Sequence, residues 1–82
     1  MPFYAVYYYK RAASLRPEDA RMWNALGQCY ACDQVDQVDL AIRCFRKAIE
    51  NNDPDGIAAH MLARLYAEPG PRNDLDAGES KD

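Results

Sequence analysis

Cys29 and Cys32 have two residues between them, Cys44 follows, and His60 is the one histidine of the chain. Three thiols and an imidazole are a donor set that could hold zinc. A C-x2-C pair alone could also cycle between dithiol and disulfide. The surroundings argue against both. Cys29 and Cys32 fall inside a helical pattern, not on the turn a zinc ribbon uses. Cys44 falls on the apolar face of the next helix, where cysteine acts as a small hydrophobe. No βαβ pattern surrounds the C-x2-C pair. Ser14 and Ser80 are the only serines, and neither is set beside His60 as a nucleophile would be. No Gly-rich phosphate loop is present. The expectation is therefore no enzyme, no cofactor and no metal. Two basic clusters, Lys10-Arg11 and Arg43/Arg46/Lys47, read first as solvated helix faces, and second as sites for a phosphopeptide or an acidic tail.

The elements that would position these groups are helical. Phe3–Leu15 gathers Ala5, Tyr8, Tyr9, Ala12 and Leu15 on one face. Glu18–Cys32 gathers Met22, Trp23, Leu26, Cys29 and Tyr30, with Pro17 expected in its first turn. Asp36–Glu50 gathers Leu40, Ala41, Cys44, Phe45, Ala48 and Ile49. Asp55–Ala67 gathers Ala58, Ala59, Leu62, Ala63, Leu65 and Tyr66, with Asp53 as its cap. The steps of three and four between these residues predict an all-α fold of about four helices and no strand.

Composition bounds the rest. The chain has 82 residues and a formal net charge of -3. Residues 1–67 carry eight acids and eight bases, so the five acids and two bases of residues 68–82 hold the whole excess. A neutral body lacks the concentrated positive field that nucleic acid or an anionic membrane needs. No apolar run reaches the length of a membrane span. Nor does the apolar stretch Phe3–Tyr9 have the flanks of a signal peptide. An odd cysteine count points to a reducing compartment, nucleus or cytoplasm. The tail 68–82 has Leu75 as its one large apolar residue, and is expected to be disordered in isolation.

The four segments alternate between two types. Trp23, Leu26, Gly27 and Tyr30 fall at steps of three, one and three, and Ala59, Leu62, Ala63 and Tyr66 repeat them. Ala5, Tyr9 and Ala12 fall at steps of four and three, as do Ala41, Phe45 and Ala48. This resembles the tetratricopeptide repeat, W-x2-L-G-x2-Y followed by A-x3-F-x2-A and a proline, here Pro54. Trp23 to Ala59 spans 36 residues, two more than the general repeat. The extra residues lie in the turn between Tyr30 and Ala41. The resemblance implies an α-solenoid fragment over residues 1–67: a half repeat, one full repeat and a half repeat. It implies packing roles for Tyr9, Trp23, Leu26, Gly27, Tyr30, Ala41, Phe45, Ala48, Leu62, Ala63 and Tyr66. Trp23 in particular should be substantially buried. A repeat covers its faces only against neighbours. The apolar surface of Phe3, Tyr4, Val6 and Tyr7 at one end, and of Leu62, Leu65 and Tyr66 at the other, therefore predicts self-association or a larger assembly.

A closer likeness rests on Phe3-Tyr4-Ala5-Val6-Tyr7-Tyr8-Tyr9-Lys10-Arg11, Leu15-Arg16-Pro17 to Trp23, and Ala41-Ile42-Arg43-Cys44-Phe45-Arg46-Lys47-Ala48. These runs are similar to the subunit-8 type tetratricopeptide proteins of the anaphase-promoting complex. After Tyr66 the likeness stops, because Pro69-Gly70-Pro71 breaks the helical pattern. What remains implies a scaffold of a mitotic ubiquitin ligase, holding other protein subunits and peptide segments. A generic peptide-binding adaptor, such as a co-chaperone with a carboxylate clamp, is the alternative. In either case the concave surface would be lined by Arg21, Asn24, Gln28 and Ala31 on one helix and by Ile57, His60 and Arg64 on the next. Arg21, Asn24, Gln28 and Arg64 would offer hydrogen bonds to a bound peptide, and the two arginines could pair with a carboxylate.

Overall fold

Asp19 sets the start of a helix that takes part in the most extensive packing in the molecule. Its extended backbone breaks the chain, and its Oδ1 accepts a hydrogen bond from the Arg21 N–H at 3.0 Å. An N-terminal donor that would otherwise have no partner is thereby satisfied. In the computed structural model, which describes residues 2–67, the helices are α1 (Pro2–Leu15), α2 (Ala20–Ala31), α3 (Val38–Glu50) and α4 (Ile57–Ala67). No strand occurs among the described residues. The expectation for residues 68–82 lies outside them. Pro17 is not in the first turn of α2 as expected: the helix begins three residues later. The Pro17 carbonyl instead accepts the Trp23 Nε1–H at 2.8 Å, tying the α1–α2 turn to α2.

The turn between α2 and α3 spans residues 32–37. Asp36, at φ 50°, takes the left-handed conformation. Its N–H donates to the Cys32 carbonyl at 2.7 Å, and the Gln37 N–H donates to the Tyr30 carbonyl at 2.8 Å. The loop is thus closed by backbone bonds while half-buried Val35 drops onto the core. The turn into α4 needs Gly56, whose φ of 70° a side chain would resist. With the chain so turned, Asp53 reaches across it. Its Oδ2 accepts the Ala58 N–H at 2.7 Å and its Oδ1 accepts the Asp55 N–H at 3.3 Å. The expected cap is present, although α4 starts four residues after Asp53.

Each helix packs on its neighbours in chain order, and the α2–α3 contact is the most extensive. A compact chain of this size would have a radius of gyration of about 11–12 Å. The observed value is 13.8 Å, with a Cα envelope of 45 × 26 × 14 Å. The molecule is therefore a thin slab with a small core. Leu26, Tyr30, Ala41, Cys44, Phe45, Ala48 and Ala58 form its centre, and Phe45 is the largest side chain wholly withdrawn from water. Gly27 sits directly against it: a Cβ there would lie 2.8 Å from Phe45 Cε1 and Cζ. A small residue on one helix and a ring on the other let the two backbones approach.

Several packing expectations change. In α1, Tyr8 and Leu15 are exposed, while Val6, Tyr9 and Ala13 face α2. Trp23 is half-buried rather than enclosed, with its ring packed against the core. In α4, Ala58, Met61, Leu62 and Leu65 face the core, whereas Ala59, Ala63 and Tyr66 are exposed. The reason is geometric. Gly27 and Tyr30 are covered by α3, but no described helix lies over the matching face of α4.

Candidate functional site

The two stripes expected to form a binding surface lie on α2 and α4. Arg21, Gln28, His60 and Arg64 are exposed, and Ala31 and Ile57 are half-buried. Asn24 departs from the expectation. It is 4% exposed, so it cannot offer its amide to a peptide lying on the surface. The helix carrying it turns the residue towards the α3–α4 corner, where Ala58 is also buried. The Asn24 amide contributes there to holding the Asp53 carboxyl below its usual range, second among hydrogen bonds to that of the Ala58 N–H. Even so, neither Oδ1 nor Nδ2 completes a well-formed hydrogen bond. Asn24 is a residue of the corner, and the stripe on α2 is interrupted at its middle.

Arg21 is exposed but already engaged. Its Nε and Nη2 donate to Asp19 Oδ1 and Oδ2, each at 3.2 Å. This fork geometry raises the guanidinium pKa and holds the Asp19 carboxyl below its usual range, the side-chain hydrogen bond being the main cause in both. Asp55 adds a further negative field at Arg21. An incoming carboxylate would have to displace Asp19. The surface left to a partner is thus polar and mixed, with Gln28 and His60 on its open part.

A second surface joins residues that the linear sequence keeps apart. On the opposite side of α2, α1 and α3 flank a groove of about 290 Å3. Trp23, Leu26 and Leu40 help form its apolar lining, and Lys10, Arg43 and Lys47 bring cations to it. Ser14 also lines it, with its hydroxyl donating to the Lys10 carbonyl at 2.9 Å. Lys47 Nζ lies 4.0 Å from Glu50 Oε1, an exposed pair of the kind that contributes little. The two basic clusters were visible in the sequence. Their convergence was not, because it requires α1 and α3 to pack on the same helix.

The cysteines do not assemble a reactive centre. Cys29 and Cys32 are half-buried and Cys44 is buried, and all three are free thiols. Burial pushes the Cys44 thiol up to about 11 and raises that of Cys29, with the neighbouring Cys32 adding to the latter. Thiolate, the form that ligates and attacks, is disfavoured at both. Among the described residues no group of three or more His, Cys, Asp or Glu side chains is placed to hold a metal ion. No helix among them is long and apolar enough to cross a membrane. Comparison with protein-family models, curated proteins and solved structures finds no match.

Proposed function

We propose that this chain is a protein-interaction scaffold built of tetratricopeptide-type repeats, with no catalysis of its own. The observation that carries the reading is the fit of Gly27 against Phe45. It pairs the glycine of the W-x2-L-G-x2-Y helix with the ring of the A-x3-F-x2-A helix, as the repeat spacing requires. The thin slab and chain-order packing support the same reading, since a repeat array touches only neighbours. So do the uncovered faces at both ends: Phe3, Tyr4 and Tyr7 on α1, and Ala59, Ala63 and Tyr66 on α4. Further repeats, or another copy of the chain, would cover them.

Within that class, the sequence likeness favours a subunit-8 type component of the anaphase-promoting complex, working in nucleus and cytoplasm during cell division. Its partners would be protein subunits and peptide segments rather than nucleic acid or membrane. The co-chaperone adaptor has less support, because a carboxylate clamp needs available cations and Arg21 is held by Asp19. The test is quantitative affinity purification of the tagged natural protein from mitotic cells, with isotope-labelled mass spectrometry. Stoichiometric recovery of the other subunits of the ubiquitin ligase is the expected result. Recovery of chaperones alone, lost on adding a free acidic C-terminal peptide, would replace this reading with the adaptor. Sedimentation of the 82-residue chain at tens of micromolar should show a dimer or larger species; a monomer with its terminal faces uncovered would refute the assembly.

A further inference from the structure

The groove between α1 and α3 has an apolar lining and three cations, Lys10, Arg43 and Lys47, and among the described residues no carboxylate lines it. An occupant that suits it carries a single aliphatic side chain between negative charges. We propose that the groove is occupied by the segment Asp74-Leu75-Asp76 of the same chain.

Three observations converge on this occupant. The first is charge. Residues 1–67 are neutral and residues 68–82 hold the net -3, so the acidic excess of the chain lies in the segment beyond α4. Opposite charges on groove and segment favour their encounter and fix its orientation. The second is shape. Leu75 is the one large apolar residue of 68–82 and has an aspartate on each side. An apolar floor with a cationic rim matches that order.

The third is reach. The end of α4 is fastened to α3 by the Tyr66 hydroxyl, which accepts from Arg46 Nη2 at 2.8 Å. Arg46 is adjacent to Lys47 in α3 and one turn from Arg43. The near rim of the groove lies across α3 from that contact, a helix diameter of roughly 10–12 Å, and the path from Ala67 adds to this the length of the Tyr66 side chain. The eight residues from Ala67 to Leu75 can span up to about 26–29 Å. Because the segment is tethered, its effective concentration at the groove is about millimolar, so a contact too weak to form between separate molecules can still be populated.

Trp23, the only tryptophan, lines the groove and reports its occupancy. The full chain is treated with a zero-length carbodiimide, and cross-links are mapped by mass spectrometry on a mixture of 14N and 15N chains. The expected result is a link from Asp74 or Asp76 to Lys10 or Lys47 within chains of one isotope, weakened in molar salt, where the screening length falls to about 3 Å. In parallel, Leu75→Ser and the double variant D74K/D76K should shift Trp23 emission to the red and make it more accessible to acrylamide. These changes lie outside α1–α4, so they leave the core of those helices untouched. Links found only between chains of different isotope would assign the groove to a second copy and overturn the proposal. Identical Trp23 quenching in the wild type and both variants would overturn it as well.

Discussion

Replacing Gly27 by alanine puts a methyl group 2.8 Å from two ring carbons of Phe45 and 3.0 Å from a third. Carbon atoms in good contact sit at about 3.5–4.0 Å, so the ring must retreat by roughly 1 Å. Phe45 has no room for this, being fully buried between α2 and the rest of the core. Overpacking of this kind costs about 1–3 kcal/mol. Alanine offsets part of it, because in a helix interior it is favoured over glycine by about 1 kcal/mol. The net expectation is a loss of about 0–2 kcal/mol, and for a 60–100-residue domain each kcal/mol lowers the melting temperature by several degrees. The assay is thermal and urea unfolding followed by circular dichroism at fixed protein concentration, since assembly would shift the midpoint. Shortening the ring separates the two contributions. The double variant G27A/F45L should be more stable than the sum of its single changes by about 1 kcal/mol, the signature of two residues in direct contact. If Gly27→Ala stabilises by the full helix-propensity gain, and the double variant shows no coupling, the close approach of α2 and α3 at Gly27 is wrong. The repeat assignment built on it then falls too.

Other residues give independent checks. Trp23→Phe keeps an aromatic ring but loses the Nε1 bond to the Pro17 carbonyl; a loss of about 1 kcal/mol in urea unfolding is expected. Asp53→Ala removes the cap of α4 and should cost about 1–2 kcal/mol, with faster amide exchange at Ala58 read by NMR. The Asp53 carboxyl is held below its usual range chiefly by the Ala58 N–H, and that of Asp19 chiefly by Arg21. Their stabilisation is thus complete above the unfolded-state value of about 4 and is lost as pH falls through the lower folded values. Melting temperature should drop from pH 6 to pH 3, with a smaller drop in Asp53→Asn. Cys44, buried with its thiol pushed up to about 11, should resist iodoacetamide at pH 8 until urea unfolds the chain, as peptide mass spectrometry will report; fast labelling of the folded chain would contradict its place in the core.

The helices and their order were legible in the residues alone. Steps of three and four put Leu26 and Tyr30 on one face of α2 and Ala41, Phe45 and Ala48 on one face of α3, and all five are buried. Amphipathic spacing survives translation into structure because it depends only on helix geometry. The cap at Asp53 was legible for the same local reason. What the periodicity left open is how far each helix turns towards its neighbour. One residue of rotation moves burial from Ala12 to Ala13 in α1, and sends Asn24 from the supposed binding surface into the α3–α4 corner. A lone helix face can be read from sequence, but a boundary residue such as Asn24 is decided by where the next helix lies. Trp23 shows the same limit, since its spacing put it on the apolar face but only the Pro17 carbonyl and the open groove left it half-covered. The pairing of Arg21 with Asp19 could have been suspected from their proximity, yet its two-point geometry depends on the break before α2. The cationic groove belongs wholly to the tertiary structure. Lys10 and Arg43 are far apart in sequence, and they share a surface only because α1 and α3 both pack against α2.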